Sequence, residues 1–188
     1  MAHSILPLFA FALAASAPAL ASELVPLPHF DAVELRGGGS VTVVPGPVER
    51  VTIVEGSTRF TRLYVDRERT LKIDTCNGDC PHSYRLRVQI ESPNVPTLAV
   101  DGGGTISAAP GFGPQRRLVA AVNGGGIIDT RALDAGDVTA AVNGGGKLFV
   151  RARSALTGAV HGGGSVRYWG NPQVTSAIHG GGSVQPAH

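Results

Sequence analysis

Two groups of side chains in this sequence have types and spacing that could do chemistry, and the first is a cysteine pair. Cys76 and Cys80 flank an Asn-Gly dipeptide, which is typical of a tight hairpin turn. In an exported chain this spacing favours a disulfide, whereas adding His82 gives only three of the four ligands that structural zinc needs. A redox-active pair is a third interpretation, but the spacing is CxxxC and no helix signal follows. We predict a Cys76–Cys80 disulfide.

The second group consists of one polar residue directly before each of five glycine triplets. If the repeats stack, these side chains form a line, which is either a structural ladder of hydrogen bonds or a ligand-binding surface. The last two are histidines, which could share a transition-metal ion if both rings point outward. This line, called the polar column below, contains Asp101, Asn123, Asn143, His161 and His179.

The sequence contains few complete enzyme motifs. His161 and His179 each precede a triplet and so mimic the HGGG oxyanion motif, but that motif works with a Gly-x-Ser-x-Gly elbow on an α/β sheet. Paired carboxylates could still cleave polysaccharide on a β-helix, and Asp129, Asp134 and Asp137 form the close acidic group in the repeats. We predict no enzyme, no catalytic residue, no resident metal and no cofactor. A carbohydrate-active β-helix enzyme is the alternative.

Arginines in the first half form a third candidate surface. They could bind anionic envelope polysaccharide, although Asp66, Glu68 and Glu91 favour a solvated strand face instead. The formal net charge of +2 attracts nucleic acid only weakly, and we therefore exclude it as a partner. The binding candidates in this set are Arg59, Arg62, Arg85 and Arg87, with Arg67 and Arg69 nearby.

A repeat must position the polar column. Each copy has Ala, then Val or Ile, the polar residue and three glycines, with another apolar residue two positions later. Successive triplets start at 102, 124, 144, 162 and 180, and a looser copy contains residues 37–39. Spacing of this size fits one turn of a β-solenoid, because hairpin ladders turn every ~8–12 residues. We predict an all-β, right-handed parallel β-helix with apolar columns inside and glycines at the corners.

The chain before the regular repeats also predicts strands. Period-two alternation is clearest from Tyr84 to Glu91, and helical spacing of apolar residues is missing. Residues 30–98 are therefore expected to form a β-meander or the irregular first half of the coil. Residues 99–188 would form the regular part of a single domain spanning 22–188.

The first 21 residues have the pattern of a signal peptide. An apolar stretch runs from Ile5 to Ala15, and Ala19-Leu20-Ala21 is a small-x-small cleavage signature. We predict export to the periplasm, the medium or the cell surface of a bacterium, with no stable membrane insertion after cleavage.

Several segments resemble one known family. They are Phe30–Val33, Gly39–Val43, Val51–Ile53, Leu71–Ile73, the apolar-x-Gly-x-Gly repeats and Tyr168–Pro172. On these segments the chain is similar to the bacterial putative auto-transporter adhesin, head GIN domain family. Full GGG triplets and the two-cysteine hairpin depart from the family pattern. The resemblance implies a β-helical, envelope-associated binding or structural module, adhesin-like, with no family catalytic residues. An envelope polysaccharide or protein is the expected partner, and the flat Ala and Gly columns also allow a homo-oligomer.

Overall fold

The computed structural model describes residues 22–187, so the predicted signal peptide lies outside the described residues. This part of the chain is all-β, and no helix in it is long and apolar enough to cross a membrane. Its strands are β1 (Glu23–Val25), β2 (Ala32–Gly37), β3 (Ser40–Pro45), β4 (Arg50–Glu55), β5 (Arg62–Val65), β6 (Thr70–Asp74), β7 (Arg87–Ser92), β8 (Thr97–Gly102), β9 (Thr105–Ala108), β10 (Gln115–Gly124), β11 (Ile127–Asp129), β12 (Ala135–Gly144), β13 (Lys147–His161), β14 (Ser165–Trp169), β15 (Gln173–His179) and β16 (Ser183–Pro186).

The strands form two layers that share β13. Sheet A has the order β1-β4-β7-β3-β9-β11-β13-β14-β16, and sheet B has the order β5-β6-β2-β8-β10-β12-β13-β15. The long strand β13 begins in sheet A and ends in sheet B, so thirteen strands make one continuous path of mixed orientation. The alternating side chains of both layers meet in one apolar core.

The parallel stacking predicted from the triplet spacing is confirmed. Val122 of β10 pairs in register with Val100 of β8 and Val142 of β12, and all three side chains are buried. The residues two positions past the triplets form the facing column, where Ile106 and Ile128 are fully buried. Chain connections from sheet B to sheet A pass through the glycine triplets at a corner. The hand of the coil stays a prediction.

The first half differs from a meander. The β2–β3 coil lies between the β6–β7 coil and the β8–β9 coil, with parallel pairing on both sides. The early triplet sets this position, because Gly37 pairs in register with Gly102 and the Gly37 carbonyl accepts from Gly103 N at 2.9 Å. Strands β1, β4 and β5 add antiparallel neighbours at this end of the stack.

A disulfide joins Cys76 and Cys80, as predicted. It closes the connection between β6 and β7, where the other coils have a glycine triplet. Thr75 N donates to the Arg36 carbonyl at 3.1 Å, and Asn77 N donates to the Phe60 carbonyl at 2.8 Å. Thr75 Oγ1 also donates to the Gly38 carbonyl, so the chain entering the disulfide loop covers the corner formed by residues 37–39.

Removing the disulfide is expected to destabilise the fold modestly. The bond closes a short loop, for which chain entropy predicts a loss of about 2 kcal/mol in the Cys76→Ser, Cys80→Ser double variant. Urea unfolding with and without reductant measures this loss. Reductant should lower the wild-type midpoint and leave that of the double variant unchanged, and an unaffected wild-type midpoint would contradict the prediction.

Candidate functional site

The polar column lies on the outer face of sheet B. Strand pairing places Asp101 beside Asn123, Asn123 beside Asn143, Asn143 beside His161, and His161 beside His179. All five residues are exposed, because each follows a buried Val or an inward-facing Ile and side chains alternate along a strand. The column thus faces solvent along its whole length.

Side-chain hydrogen bonds join the amide half of the column. Asn123 Nδ2 donates to Asp101 Oδ1 at 3.0 Å, and Asn143 Nδ2 donates to Asn123 Oδ1 at 3.3 Å. The ladder therefore runs from side chain to side chain. Part of each amide's hydrogen-bonding capacity is used within the ladder.

The histidine half of the column is stacked. The His161 and His179 rings lie 4.7 Å apart between centroids with an interplanar angle of 9°. Ring nitrogens coordinate metals in the plane of the ring, so lone pairs in two parallel planes do not converge on one ion. This geometry disfavours the shared-metal hypothesis, and residues 22–187 hold no group of three or more His, Cys, Asp or Glu side chains suited to a metal ion.

The column continues into the first half of the chain with charged residues. Arg36 pairs in register with Asp101 on one side and Asp74 on the other, and Asp74 pairs with Arg62. Arg62 was a candidate from the sequence, but Arg36 and Asp74 were not. Arg36 could have been found, because it directly precedes the 37–39 triplet as the other column residues precede theirs. Its place beside Asp101 was hidden because the β2 strand lies between β6 and β8, both later in the chain.

An ion-pair cluster adjoins this charged end. Glu34 Oε1 accepts from Arg36 Nε at 2.5 Å, and Glu34 Oε2 accepts from Lys72 Nζ. Burial raises the pKa of Glu34, but the hydrogen bonds from Lys72 and Arg36 outweigh it and hold that pKa below its usual value. The Glu34 bond in turn raises the pKa of Lys72. Both side chains are therefore held in their charged forms.

A groove runs beside the polar column. Its floor is a column of alanines two positions before the polar residues, and its volume is about 310 Å³. Glu34 lies at one end and His161 at the other. Alanine methyl groups give little relief, so the polar side chains form a wall above the floor. The floor residues are Ala99, Ala121, Ala141 and Ala159.

The arginine candidates do not share one face. Arg62 lies in β5 of sheet B and stacks on Tyr64, with 4.5 Å between its Cζ atom and the ring centroid. Arg87 lies in β7 of sheet A and pairs with Glu55 at 3.2 Å. Arg59 covers the Phe60 ring at 5.2 Å, and Arg85 is exposed in the segment before β7. The structure thus places Arg62 and Arg87 on different sheets and leaves Arg59 and Arg85 in the connections between strands.

The acidic group of the repeats is spread over two sheets, and two of its members are paired with arginines. Asp129 lies in sheet A and accepts hydrogen bonds from Arg131 at both carboxylate oxygens, whereas Asp137 faces outward from sheet B. Asp134 lies between the two strands and pairs with Arg153 at 3.1 Å. Burial raises the pKa of Asp129, but its hydrogen bonds to Arg131 give a net lowering. A general acid for glycoside cleavage needs a raised pKa.

An aromatic cluster on sheet A was not anticipated from the sequence. Phe149 and Trp169 are 6.5 Å apart between ring centroids, and the Arg131 guanidinium lies 5.1 and 5.3 Å from them. The Asp129 carboxylate holds that guanidinium in place. The cluster is thus internally paired on the face opposite the groove.

The fold and the groove define an all-β protein of stacked parallel coils that presents a repeated polar surface to solvent. Residues 109–172 match the family described as putative auto-transporter adhesin, head GIN domain, and this match confirms the resemblance seen in the sequence.

Solved structures are similar over most of the chain. A putative adhesin from Bacteroides fragilis NCTC 9343 has 16% identity and a TM-score of 0.55, over 89% of this chain and 96% of that one. A putative adhesin from Parabacteroides distasonis ATCC 8503 has 16% identity and a TM-score of 0.44 over the same shares. At such identities the first likeness bears on the fold alone. Among curated proteins, no sequence matches this chain.

Proposed function

We propose that this chain is an exported, envelope-associated binding module, adhesin-like in role, which holds its ligand in the groove beside the polar column. The observation that carries the proposal is the alanine floor with its exposed wall of amide, carboxylate and imidazole groups. Export is supported by the signal-peptide pattern of residues 1–21 and by the family match.

The geometry favours an extended ligand with repeated polar groups. Neighbouring coils are about 4.8 Å apart, so equivalent side chains offer the same contact several times along the groove. A single exposed hydrogen bond contributes little, but several contacts to one chain add up because later contacts become intramolecular. An envelope polysaccharide or an extended protein segment has this form. No step of bond cleavage is part of the proposal.

Filling the groove is expected to weaken ligand binding strongly. Ala141→Arg places a long side chain on the floor between Ala121 and Ala159, at a position that is half-buried and faces outward. We expect at least a tenfold loss of retention on the envelope polysaccharides or glycans that the wild type binds, measured by glycan array and then by biosensor titration.

The matched control is Ser165→Arg, which adds the same side chain to an outward position of sheet A. It should bind as the wild type does. Equal binding by both variants would exclude the groove as the site, and release of shortened glycan products would replace the binding module with an enzyme.

A further inference from the structure

The two ends of the coil stack differ in how well they cover the core. At the end near β6 and β7, antiparallel strands cover the outermost parallel coil, and Leu71 and Ile90 are fully buried. At the other end, β15 pairs only with β13 and β16 only with β14 within the described residues. Apolar side chains of β15 are exposed at positions where the equivalent side chains of β13 are buried.

Two residues of β15 show the difference most clearly. Val174 pairs with Leu156 and Ile178 pairs with Val160, so both occupy positions of the interior columns. Leu156 and Val160 are 1% and 0% exposed, whereas Val174 and Ile178 are 42% and 43% exposed. An exposed apolar strand at the edge of a sheet is a typical site for pairing with another strand.

The free edge also has unused backbone groups. The His179 carbonyl accepts from Gly162 N at 2.8 Å, so His179 directs its polar backbone groups toward the rest of the stack. Because these directions alternate along a strand, Val174, Ser176 and Ile178 direct their N–H and C=O groups toward the open edge.

We infer that the occupant of this edge is a second copy of the chain, in a two-fold dimer in which the β15 strands pair antiparallel about Ser176. In this register Val174 lies opposite Ile178 of the second copy and Ser176 lies opposite its own equivalent, and these three residues direct their backbone groups at their partners. The strand is thus self-complementary in both hydrogen bonding and side-chain type.

Charge supports a copy of the same chain over a different partner. Residues 168–188 contain no Asp, Glu, Lys or Arg, so this segment of two copies meets without like-charge repulsion. Edge strands that must stay free of partners commonly have lysines or other charges, and β15 has none. Since antiparallel strands cover the opposite end, pairing of two open ends completes the assembly at a dimer.

Sedimentation equilibrium of the full chain, expressed for export, tests the dimer. The wild type is expected at twice the chain mass. Val174→Lys and Ile178→Lys should each be monomeric with an unchanged circular dichroism spectrum, because the positions are already half-exposed in one copy and the charge would be buried only in the dimer. Thr175→Lys, on the outer face of the same strand, should remain a dimer. A monomeric wild type, or a dimer that survives both apolar-to-lysine changes, overturns the inference.

Cysteine cross-linking tests the register. Ser176→Cys should form a covalent dimer on mild oxidation, since directly opposed residues in a hydrogen-bonded antiparallel pair are about 5.5 Å apart between Cα atoms, within disulfide range. Gln173 is three residues from Ser176 and lies opposite residue 179 of the second copy, so the two Gln173 positions are offset by six residues along the paired strands. Gln173→Cys should therefore not cross-link. Equal cross-linking by the two variants, or by neither, contradicts pairing about Ser176.

Discussion

Replacing Gly146 with alanine is expected to lower the free energy of unfolding by roughly 1–3 kcal/mol, the usual cost of overpacking a filled interior. The glycine is buried, and an added Cβ would lie against Val122 Cγ1 and 2.8 Å from the Gly126 carbonyl oxygen. That oxygen accepts from Lys147 N at 3.0 Å. The new atom can be accommodated only if the inter-coil hydrogen bond or the buried valine shifts.

The adjacent Gly145 provides the matched control. A Cβ there would meet nothing within 4 Å, and its φ lies outside the left-handed region. Thermal and urea unfolding should show a marked loss for Gly146→Ala and little change for Gly145→Ala. Equal stabilities for the two variants would mean that the triplets are not closely packed corners.

Glu34→Gln is expected to destabilise the protein by about 1–3 kcal/mol at neutral pH, because it removes charge-assisted hydrogen bonds from Lys72 and Arg36. The Lys72 side chain is only 15% exposed, so loss of the carboxylate leaves a largely buried ammonium with Asp66 at 3.6 Å as its remaining acidic partner. Removing one partner of a buried ion pair destabilises the fold more than removing one partner of an exposed pair.

The same change should be pH-dependent. The pKa of Glu34 is lower in the folded protein than its ordinary value, so its contribution is complete above the unfolded pKa and is lost as the pH falls through the folded pKa. The stability difference between wild type and Glu34→Gln should therefore shrink in acid. Glu68→Gln, at an exposed position, is the control and should match the wild type. A difference that stays constant down to pH 2 would contradict this origin.

The regular coils could be predicted from the sequence because their signal is local. Each triplet, the Val before it and the apolar residue after it recur at nearly constant spacing, and these residues occupy the corner and the two interior columns. The polar column followed from the same register. Its outward direction required the structure, since alternation alone does not say which residues face the core.

The order of the first coils could not be predicted, because several neighbours satisfy the same local pattern. Val33 and Leu35 would fit beside any strand with an inward apolar pair, and the structure places them between Leu71-containing β6 and β8. Nothing in the sequence near Arg36 indicates that Asp101 lies beside it. The separation of Arg62 from Arg87 could not be predicted for the same reason. The sequence does not show which sheet each strand joins, and the structure places Arg62 in sheet B and Arg87 in sheet A.

The position of the β2–β3 coil has a kinetic consequence. Its neighbours on both sides, β6–β7 and β8–β9, come later in the chain, so the first coil gains both neighbours only when synthesis has reached Ala108. The later coils have no such requirement, because each one docks on the coil made just before it. Folding should therefore begin in the middle of the chain and grow toward both ends.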